Sequence, residues 1–200
     1  MRYADDDRPP AVEEYVRTLT DAARKHLPAN AKLIIEPGRS LVAEAAMTLY
    51  RVVTVKPGPR TLVTIDGGMA DSLEPMLYGQ RFEATVASRV GGGEPCDLVG
   101  RHCESGDTLI RDMPLRSPVV GDVVAVPVTG AYCHSLSDNY DGARRTPSCS
   151  AATAKRERWP AGRPSKTSCG VTTARDDPID QEELLREIGL ADDDESVLTR

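Results

Sequence analysis

The chain has 200 residues, of which 40% are hydrophobic and 28% are charged, and its formal net charge is −6. This length suffices for one substantial domain or for a domain with short additions. The negative net charge argues against nucleic acid as the main partner, because binding phosphates needs an excess of Lys and Arg on one face. No apolar run approaches the roughly 20 residues that cross a bilayer, so no membrane partner is expected. The acidic start MRYADDDRPP lacks the apolar core of a signal peptide, which leaves the cytoplasm as the expected location.

The pattern of residues 8–27 predicts a helix. Pro9 and Pro10 suit its first turn, and the acidic residues 5–7 suit its positive N-terminal end. Six apolar side chains recur at helical spacing: Val12, Tyr15, Val16, Leu19, Ala23 and Leu27. We therefore expect an amphipathic helix with one apolar face.

From Lys32 onward the sequence becomes strand-like. The segment AKLIIEPGR is apolar until Pro37 and Gly38 and is typical of a short strand buried on both faces. Six further segments are rich in Val, Ile, Thr and Tyr: MTLYRVVTVK, TLVTIDGG, FEATVASRV, CDLVGR, DTLIRD and GDVVAVPVTGAY. Gly, Pro and Asp turns separate them, which predicts an antiparallel barrel or sandwich. Glycines 91–93 have no helix after them, so a flexible hairpin connection is favoured over a phosphate loop.

The composition changes after about residue 146. Between Ser137 and Pro178 there is no Leu, Ile, Met or Phe. A segment so poor in large apolar side chains cannot offset its ordering entropy, so residues 147–178 are expected to be disordered. Within residues 179–200, IDQEELLREIGL has helical spacing and predicts a short helix followed by an acidic tail.

The cysteines do not indicate a metal site. Five cysteines form an odd set without a closely spaced pair, which favours reduced thiols. A zinc site would draw on Cys96, His102, Cys103, Cys133 and His134, but the CxxC and HxxxH spacings typical of structural zinc are absent. A hydrolytic pair of His102 and Cys103 is also disfavoured, because adjacent residues on a strand point to opposite faces.

Five short motifs occur in a fixed order along the first 146 residues: EPGRS (36–40), DGGM (66–69), PMLYG (75–79), CESGD (103–107) and GAY (130–132). Together they resemble the C-terminal half of the diaminopimelate decarboxylases, which are alanine-racemase-like (fold type III) pyridoxal-phosphate enzymes. The start RYADDDRPPAVEEY also resembles the segment that follows the family's glycine-rich phosphate loop. The resemblance covers residues 1–146.

The resemblance implies a mainly β fold for the part of the chain that it covers. Family members pair an N-terminal β/α barrel, which holds the cofactor, with a C-terminal β-barrel domain. Residues 1–41 would supply the last helix and strand of the β/α barrel, and residues 42–146 the β-barrel domain. The disordered basic segment at residues 147–178 and the short helix and acidic tail at residues 179–200, both predicted above from composition and spacing, make four parts in all.

The resemblance also implies pyridoxal 5'-phosphate as cofactor and the decarboxylation of meso-2,6-diaminopimelate to L-lysine as reaction, a step of lysine biosynthesis. The residues expected to bind the cofactor are Glu36, Gly38, Arg39 and Tyr132. Gly38 would hold the phosphate through main-chain N–H groups, since glycine permits close approach. Arg39 would bind a substrate carboxylate with its planar fork.

The remaining implied roles concern the substrate and the proton. Tyr78 would donate a hydrogen bond to the substrate, and Tyr132 would contact both cofactor and substrate. Cys103 would be the acid that protonates the carbanion left after CO2 departs. Glu104 would bind a substrate ammonium. In the resembling enzymes the CESGD segment reaches across a dimer interface into the neighbouring barrel, so a homodimer, or a complex with a barrel-containing homologue, is expected.

Two departures from the family pattern qualify the expected activity. The lysines of this chain lie away from the position of the Schiff-base lysine, so the chain is expected to be inactive alone; the alternative is a non-catalytic interaction module that dimerises with a full-length homologue. Glu74 stands where the family usually has an arginine that helps bind the distal carboxylate, so either the substrate differs or Arg81 or another cation substitutes.

The sequence after NYDGARRTP departs from the family altogether. Family members continue with a hydrophobic strand and a helix, whereas PSCSAATAKRERWPAGRPSKTSC follows here. This loss of Leu, Ile and Phe suggests the hypothesis of a truncated product whose tail is read in a shifted frame. Sequencing the locus tests it, because the neighbouring DNA would then encode an upstream barrel or a better-matching tail in another frame.

Overall fold

A computed structural model describes residues 2–146 and the backbone of two short strands beyond them. The helices are α1 (Val12–His26), α2 (Arg39–Val42), α3 (Glu74–Tyr78) and α4 (Cys133–Leu136), with 3-10 turns at Ala43–Ala45 and Tyr140–Gly142. The strands are β1 (Met47–Lys56), β2 (Thr61–Ile65), β3 (Thr85–Val86), β4 (Glu94–Val99), β5 (Thr108–Leu115), β6 (Val123–Pro127), β7 (Cys149–Ser150) and β8 (Glu157–Arg158).

The first six strands form one sheet in the order β3-β6-β1-β2-β4-β5. All six predicted strand segments contribute a strand, and the mainly β architecture is confirmed. The sheet is not wholly antiparallel as expected, because β2 and β4 run parallel. Parallel neighbours need a long crossover connection, and residues 66–93, which contain α3 and β3, provide it.

The core lies on one face of this sheet. Along β1 and β2, Tyr50, Val52, Val63 and Ile65 are buried at every second position, as expected for strands with one face against the core. The other strands add Val86, Leu98, Leu115 and Val124 to the same cluster. This alternation explains why the strands are recognisable in the sequence.

Glycines 91–93 form a different connection from the predicted hairpin. They join β3 to β4, which are not neighbours in the sheet. All three adopt positive φ angles, which glycine reaches without steric penalty. A side chain at Gly93 would collide with the Leu115 backbone, so the segment packs closely against the end of β5.

Helix α1 exposes its apolar face. It begins at Val12, so Pro9 and Pro10 precede the helix rather than occupy its first turn. None of its residues is buried, and Val12 and Tyr15 are 71% and 49% exposed. An amphipathic helix gains stability by burying such a face, and among the described residues nothing covers this one.

The prediction of a strand at AKLIIEPGR is wrong, because this segment forms no strand. Residues 31–38 have no regular secondary structure, and Leu33, Ile34 and Ile35 are exposed. A strand of a parallel sheet is stabilised by neighbours on both edges and by helices on both faces. The described part of the chain pairs no strand with this segment.

The acidic run at residues 5–7 stabilises the N-terminal turn instead of the start of α1. The Asp7 carboxylate accepts the N–H groups of Tyr3 and Ala4, each at 2.9 Å, and these bonds lower the pKa of Asp7. Asp6 pairs with Arg81. Tyr3 is buried and meets Phe82 edge to face at 5.2 Å, so this segment packs on the sheet.

Two predictions concern the tail. Cys149–Ser150 and Glu157–Arg158 pair as antiparallel strands. Apart from that backbone, the predicted disorder at 147–178 and the predicted helix at 179–200 lie outside the described residues. Within the described residues, no helix has both the length and the hydropathy to cross a membrane.

Candidate functional site

Arg39 is the centre of a small polar cluster. Its Nη2 donates to Glu74 Oε1 at 2.7 Å, and its Nη1 donates to the Tyr3 hydroxyl at 2.5 Å. Its guanidinium carbon lies 4.6 Å from the centre of the Tyr132 ring and 5.4 Å from that of Tyr3. Both separations suit a cation–π contact. The cluster therefore joins residues from the two ends of the described chain.

The carboxylate of this cluster is fully buried. Glu74 opens α3 and has 0% of its surface exposed, whereas the Arg39 side chain is 34% exposed. Burial opposes the charge on Arg39, but the hydrogen bonds to Glu74 and Tyr3 prevail and raise the pKa of Arg39. The Cys133 thiol lies 3.7 Å from Glu74 Oε2. A buried carboxylate needs such partners, because desolvation without them is costly.

Tyr132 has an unusual backbone and lies beside Gly38. It precedes α4 with φ 65°, in the left-handed region that a non-glycine side chain rarely adopts. Its ring is about half exposed. A Cβ built on Gly38 would lie 3.9 Å from the Tyr132 hydroxyl and would meet no other atom within 4 Å. Gly38, Arg39 and Tyr132 thus converge, as their assignment to one site requires.

This convergence fits one end of pyridoxal phosphate. Gly38 is exposed and carries no side chain, so a phosphate can approach the main-chain N–H groups there. The Tyr132 hydroxyl beside it is a further donor. These groups would hold the phosphate end of the cofactor. Glu36, the other residue predicted to bind the cofactor, is exposed on the preceding segment.

Cys103 and Glu104 lie on an exposed turn between β4 and β5. The turn is internally bonded, since Glu104 Oε1 accepts the Gly106 N–H at 3.1 Å and the Ser105 hydroxyl at 3.3 Å. The contacts of Arg39 described above involve neither Cys103 nor Glu104. The structure therefore presents these two groups outward instead of adding them to the Arg39 cluster.

Asp107 anchors this turn to the DGGM segment. Its carboxylate accepts the N–H of Met69 at 2.8 Å and of His102 at 2.9 Å, and only 4% of its surface is exposed. A Cβ on Gly68 would stand 2.5 Å from Asp107 Oδ2, and one on Gly100 would also collide with this carboxylate. Both glycines are required by this close approach. Two of the family motifs thus form one structural unit.

The segment 66–74 connects the turn to the Arg39 cluster. Near its start, Gly67 O accepts the Arg101 N–H at 3.0 Å, and Ala70 O accepts the Asp138 N–H at 2.9 Å. At its end it contributes Glu74. The exposed turn and the Arg39 cluster are therefore held by the same short segment.

Tyr140 lies beside the exposed turn. Its ring meets that of His102 at 5.6 Å, and His102 Nδ1 is 3.6 Å from Asp141 Oδ2. The charge of Asp141, burial, and the nearby Glu104 and Cys103 all raise the pKa of Tyr140. His102 Nε2 is buried with no hydrogen-bond partner among the described residues. The motif pattern gave no role to this aromatic contact.

The remaining assigned residues lie outside the cluster. Tyr78 ends α3 and is 68% exposed. Arg81, considered as a substitute cation, is paired with Asp6 and Asp7. Over residues 2–146, no three His, Cys, Asp or Glu side chains lie close enough to hold a metal ion.

Iodoacetamide at pH 8 is expected to modify Cys103 well before Cys133 in the folded chain. Cys103 is exposed, whereas burial raises the pKa of Cys133 to about 11, so only about one Cys133 thiol in a thousand is ionised at pH 8. Peptide mass mapping measures the extent of labelling at each position. Unfolding in urea is the control and should equalise the two rates; equal labelling in the folded chain would contradict the burial of Cys133.

Comparison with known proteins identifies relatives of this chain. The model of the family described as pyridoxal-dependent decarboxylase, C-terminal sheet domain, matches residues 12–130. Diaminopimelate decarboxylase of Actinosynnema pretiosum subsp. auranticum is 52% identical over 118 residues, covering 58% of this chain and 27% of that enzyme. The Bacillus subtilis enzyme is 41% identical over 149 residues, covering 70% of this chain and 34% of that enzyme. The chain thus spans about a third of the length of these relatives.

Solved structures show the same likeness. Diaminopimelate decarboxylase from Helicobacter pylori complexed with L-lysine matches with a TM-score of 0.67 and 28% identity, over 77% of this chain and 38% of that one. The M. jannaschii enzyme in co-complex with L-lysine matches with a TM-score of 0.64 and 31% identity, over 74% and 35%. The resemblance predicted from the five motifs is confirmed. The chain belongs to the pyridoxal-dependent decarboxylase family, of which it carries the C-terminal sheet domain.

Proposed function

We propose that this chain supplies the sheet-domain half of a diaminopimelate-decarboxylase-like site. The observation that carries the proposal is the meeting of Gly38, Arg39 and Tyr132, which come from motifs more than 90 residues apart. The relatives named above are diaminopimelate decarboxylases, so meso-2,6-diaminopimelate is the reference substrate and L-lysine the reference product. These 200 residues are proposed to need a barrel polypeptide for catalysis, because the cofactor-attaching lysine belongs to the barrel.

The chain's own groups would act at two places. Gly38 and Tyr132 would hold the phosphate end of the cofactor, and Arg39 would orient the substrate. Pyridoxal phosphate, when bound, supplies an electron sink for the carbon that loses CO2. The Cys103 thiol would then transfer its proton to that carbon. Glu104, one residue further along the same turn, would bind a substrate ammonium.

We propose that Cys103 and Glu104 act in a neighbouring subunit of a homodimer. Both side chains are exposed, yet the turn that carries them is fixed by the buried Asp107 carboxylate. A rigid turn with outward-facing polar groups suits insertion into a partner's site, because little ordering entropy is then lost on association. The site would be completed only in the dimer.

A chimera tests the proposed function. The N-terminal portion of the Bacillus subtilis enzyme, up to the region that this chain matches, is joined to residues 1–146 of this chain and supplied with pyridoxal phosphate. We expect release of CO2 from meso-2,6-diaminopimelate or a related diamino acid, and no release from this chain alone. A folded, dimeric chimera that binds the cofactor but releases CO2 from no diamino acid would contradict the proposal.

The second candidate is a non-catalytic module that binds a full-length homologue. The exposed apolar side chains of α1, Val12 and Tyr15 among them, favour it, since such a face is normally covered by another element. Mixing this chain with the intact Bacillus subtilis enzyme separates the two candidates. A stable mixed complex, together with an inactive chimera, would favour the module.

A further inference from the structure

The two terminal nitrogens of Arg39 are already bonded within the chain. Nη2 donates to Glu74 Oε1 at 2.7 Å and Nη1 donates to the Tyr3 hydroxyl at 2.5 Å. The rings of Tyr3 and Tyr132 lie 5.4 Å and 4.6 Å from the guanidinium carbon. The guanidinium is thus fixed in place, with both terminal nitrogens directed at groups of this chain.

Glu74 cannot easily leave this position. Its side chain is 1% exposed, and its second oxygen faces the Cys133 thiol at 3.7 Å. Leaving Arg39 would place a carboxylate in the interior without a cation, which is strongly unfavourable. Arg39 is the partner that retains access to solvent, with 34% of its side chain exposed. Any ligand that reaches Arg39 therefore meets an ion pair and not an isolated cation.

The electrostatic consequence concerns ligands that carry a second carboxylate. The pair has no net charge, so it offers little attraction to an anion at a distance. A carboxylate that contacted the exposed part of Arg39 would also come within a few ångströms of the Glu74 carboxylate, and like charges at that separation repel. Arg81 does not compensate, because it pairs with Asp6 and Asp7.

We propose that Glu74 is a specificity-determining residue that neutralises Arg39 and makes this end of the site a poor receptor for a second carboxylate. The substrate class favoured by such a site is an α-amino acid with one carboxylate and an uncharged or amino-bearing far end. This inference rests on the proposed function and refines its substrate. Specificity arises here from a repulsive element.

A binding measurement on the chain itself tests the inference without catalysis. Glutarate serves as the probe, and its affinity is measured by titration of amide NMR signals. We expect Glu74→Gln, which keeps the shape and removes the charge, to bind glutarate at least about tenfold more tightly than the wild type. The double variant Glu74→Gln, Arg39→Ala is the matched control and should return the affinity to the wild-type level.

The outcome of this titration decides the inference by itself. Equal glutarate affinity for the wild type and Glu74→Gln would overturn it. If the Gln variant does not fold, Glu74→Met removes the same charge with an apolar side chain of similar length, and the same comparison applies.

The chimera gives a second, independent measurement. With an active chimera, L-lysine is tested as an alternative substrate with a single carboxylate. The ratio of kcat/KM for meso-2,6-diaminopimelate to kcat/KM for L-lysine should rise about tenfold or more in Glu74→Gln. An inactive chimera would contradict the proposed function while the glutarate titration still decides the role of Glu74. An active chimera with an unchanged ratio would contradict the specificity role alone.

Discussion

Replacement of Asp107 by Ala is expected to lower the free energy of unfolding by about 3–6 kcal/mol, because two partly buried N–H groups lose a charged acceptor worth roughly 1.5–3 kcal/mol each. These donors are the Met69 and His102 amides. The carboxylate is almost fully buried, and it packs tightly against Gly68 and Gly100. Urea unfolding followed by far-ultraviolet circular dichroism measures the change.

Two further variants and a hydrogen-exchange measurement test the same prediction. Asp107→Asn keeps the shape but directs an NH2 group at one of the two donors, so it should lose about half as much stability as the Ala variant. Glu94→Ala, which removes an exposed carboxylate at the start of β4, is the matched control and should change stability little. Hydrogen exchange should accelerate first at residues 101–107. An unchanged urea midpoint in Asp107→Ala would show that this carboxylate does not anchor the turn.

The strands were predictable from sequence because their cause is local. In β1 and β2, buried Tyr50, Val52, Val63 and Ile65 alternate with less buried residues, and that period of two is visible without knowledge of the partners. The parallel pairing of β2 with β4 was not predictable in the same way. It depends on how residues 66–93 cross the sheet, and no local pattern records that path.

The segment 31–38 shows the opposite limit. Leu33, Ile34 and Ile35 have the composition of a buried strand, but composition expresses what a segment can become when neighbours are present. In the described chain these side chains are exposed and unpaired with any strand. The sequence pattern is consistent with a segment that completes its structure against other polypeptide, as the proposed barrel would provide.

The motifs pointed to part of the Arg39 cluster but not to its connections. The EPGR and GAY motifs pointed to Arg39 and Tyr132, which the structure brings together. No sequence spacing predicts that Arg39 pairs with Glu74, 35 residues away, or that Tyr3 joins them. Gly68 and Gly100 offered a signal for the close packing around Asp107, since glycine in or beside a strand often marks the close approach of another group.

Replacement of Cys103 by Ala in the chimera is expected to reduce kcat by about 10²–10⁴-fold, the usual contribution of a positioned general acid. The exposed thiol lies on the turn that Asp107 fixes, so its position is set before a partner is bound. CO2 release at saturating substrate measures kcat. Ser105→Ala on the same turn is the matched control and should retain most of the activity, while an equally active Cys103→Ala chimera would remove this thiol from the mechanism.

Mixing two inactive chimeras tests whether Cys103 acts across the dimer interface. One carries Cys103→Ala, and the other lacks the cofactor-attaching lysine of the barrel. If each site takes its thiol from the neighbouring subunit, a mixed dimer contains one intact site, and random exchange restores about a quarter of the full activity. If the thiol acts within its own subunit, no mixed dimer has an intact site and no activity returns. Recovery therefore depends on where the turn inserts, because both chimeras carry every other group of the site.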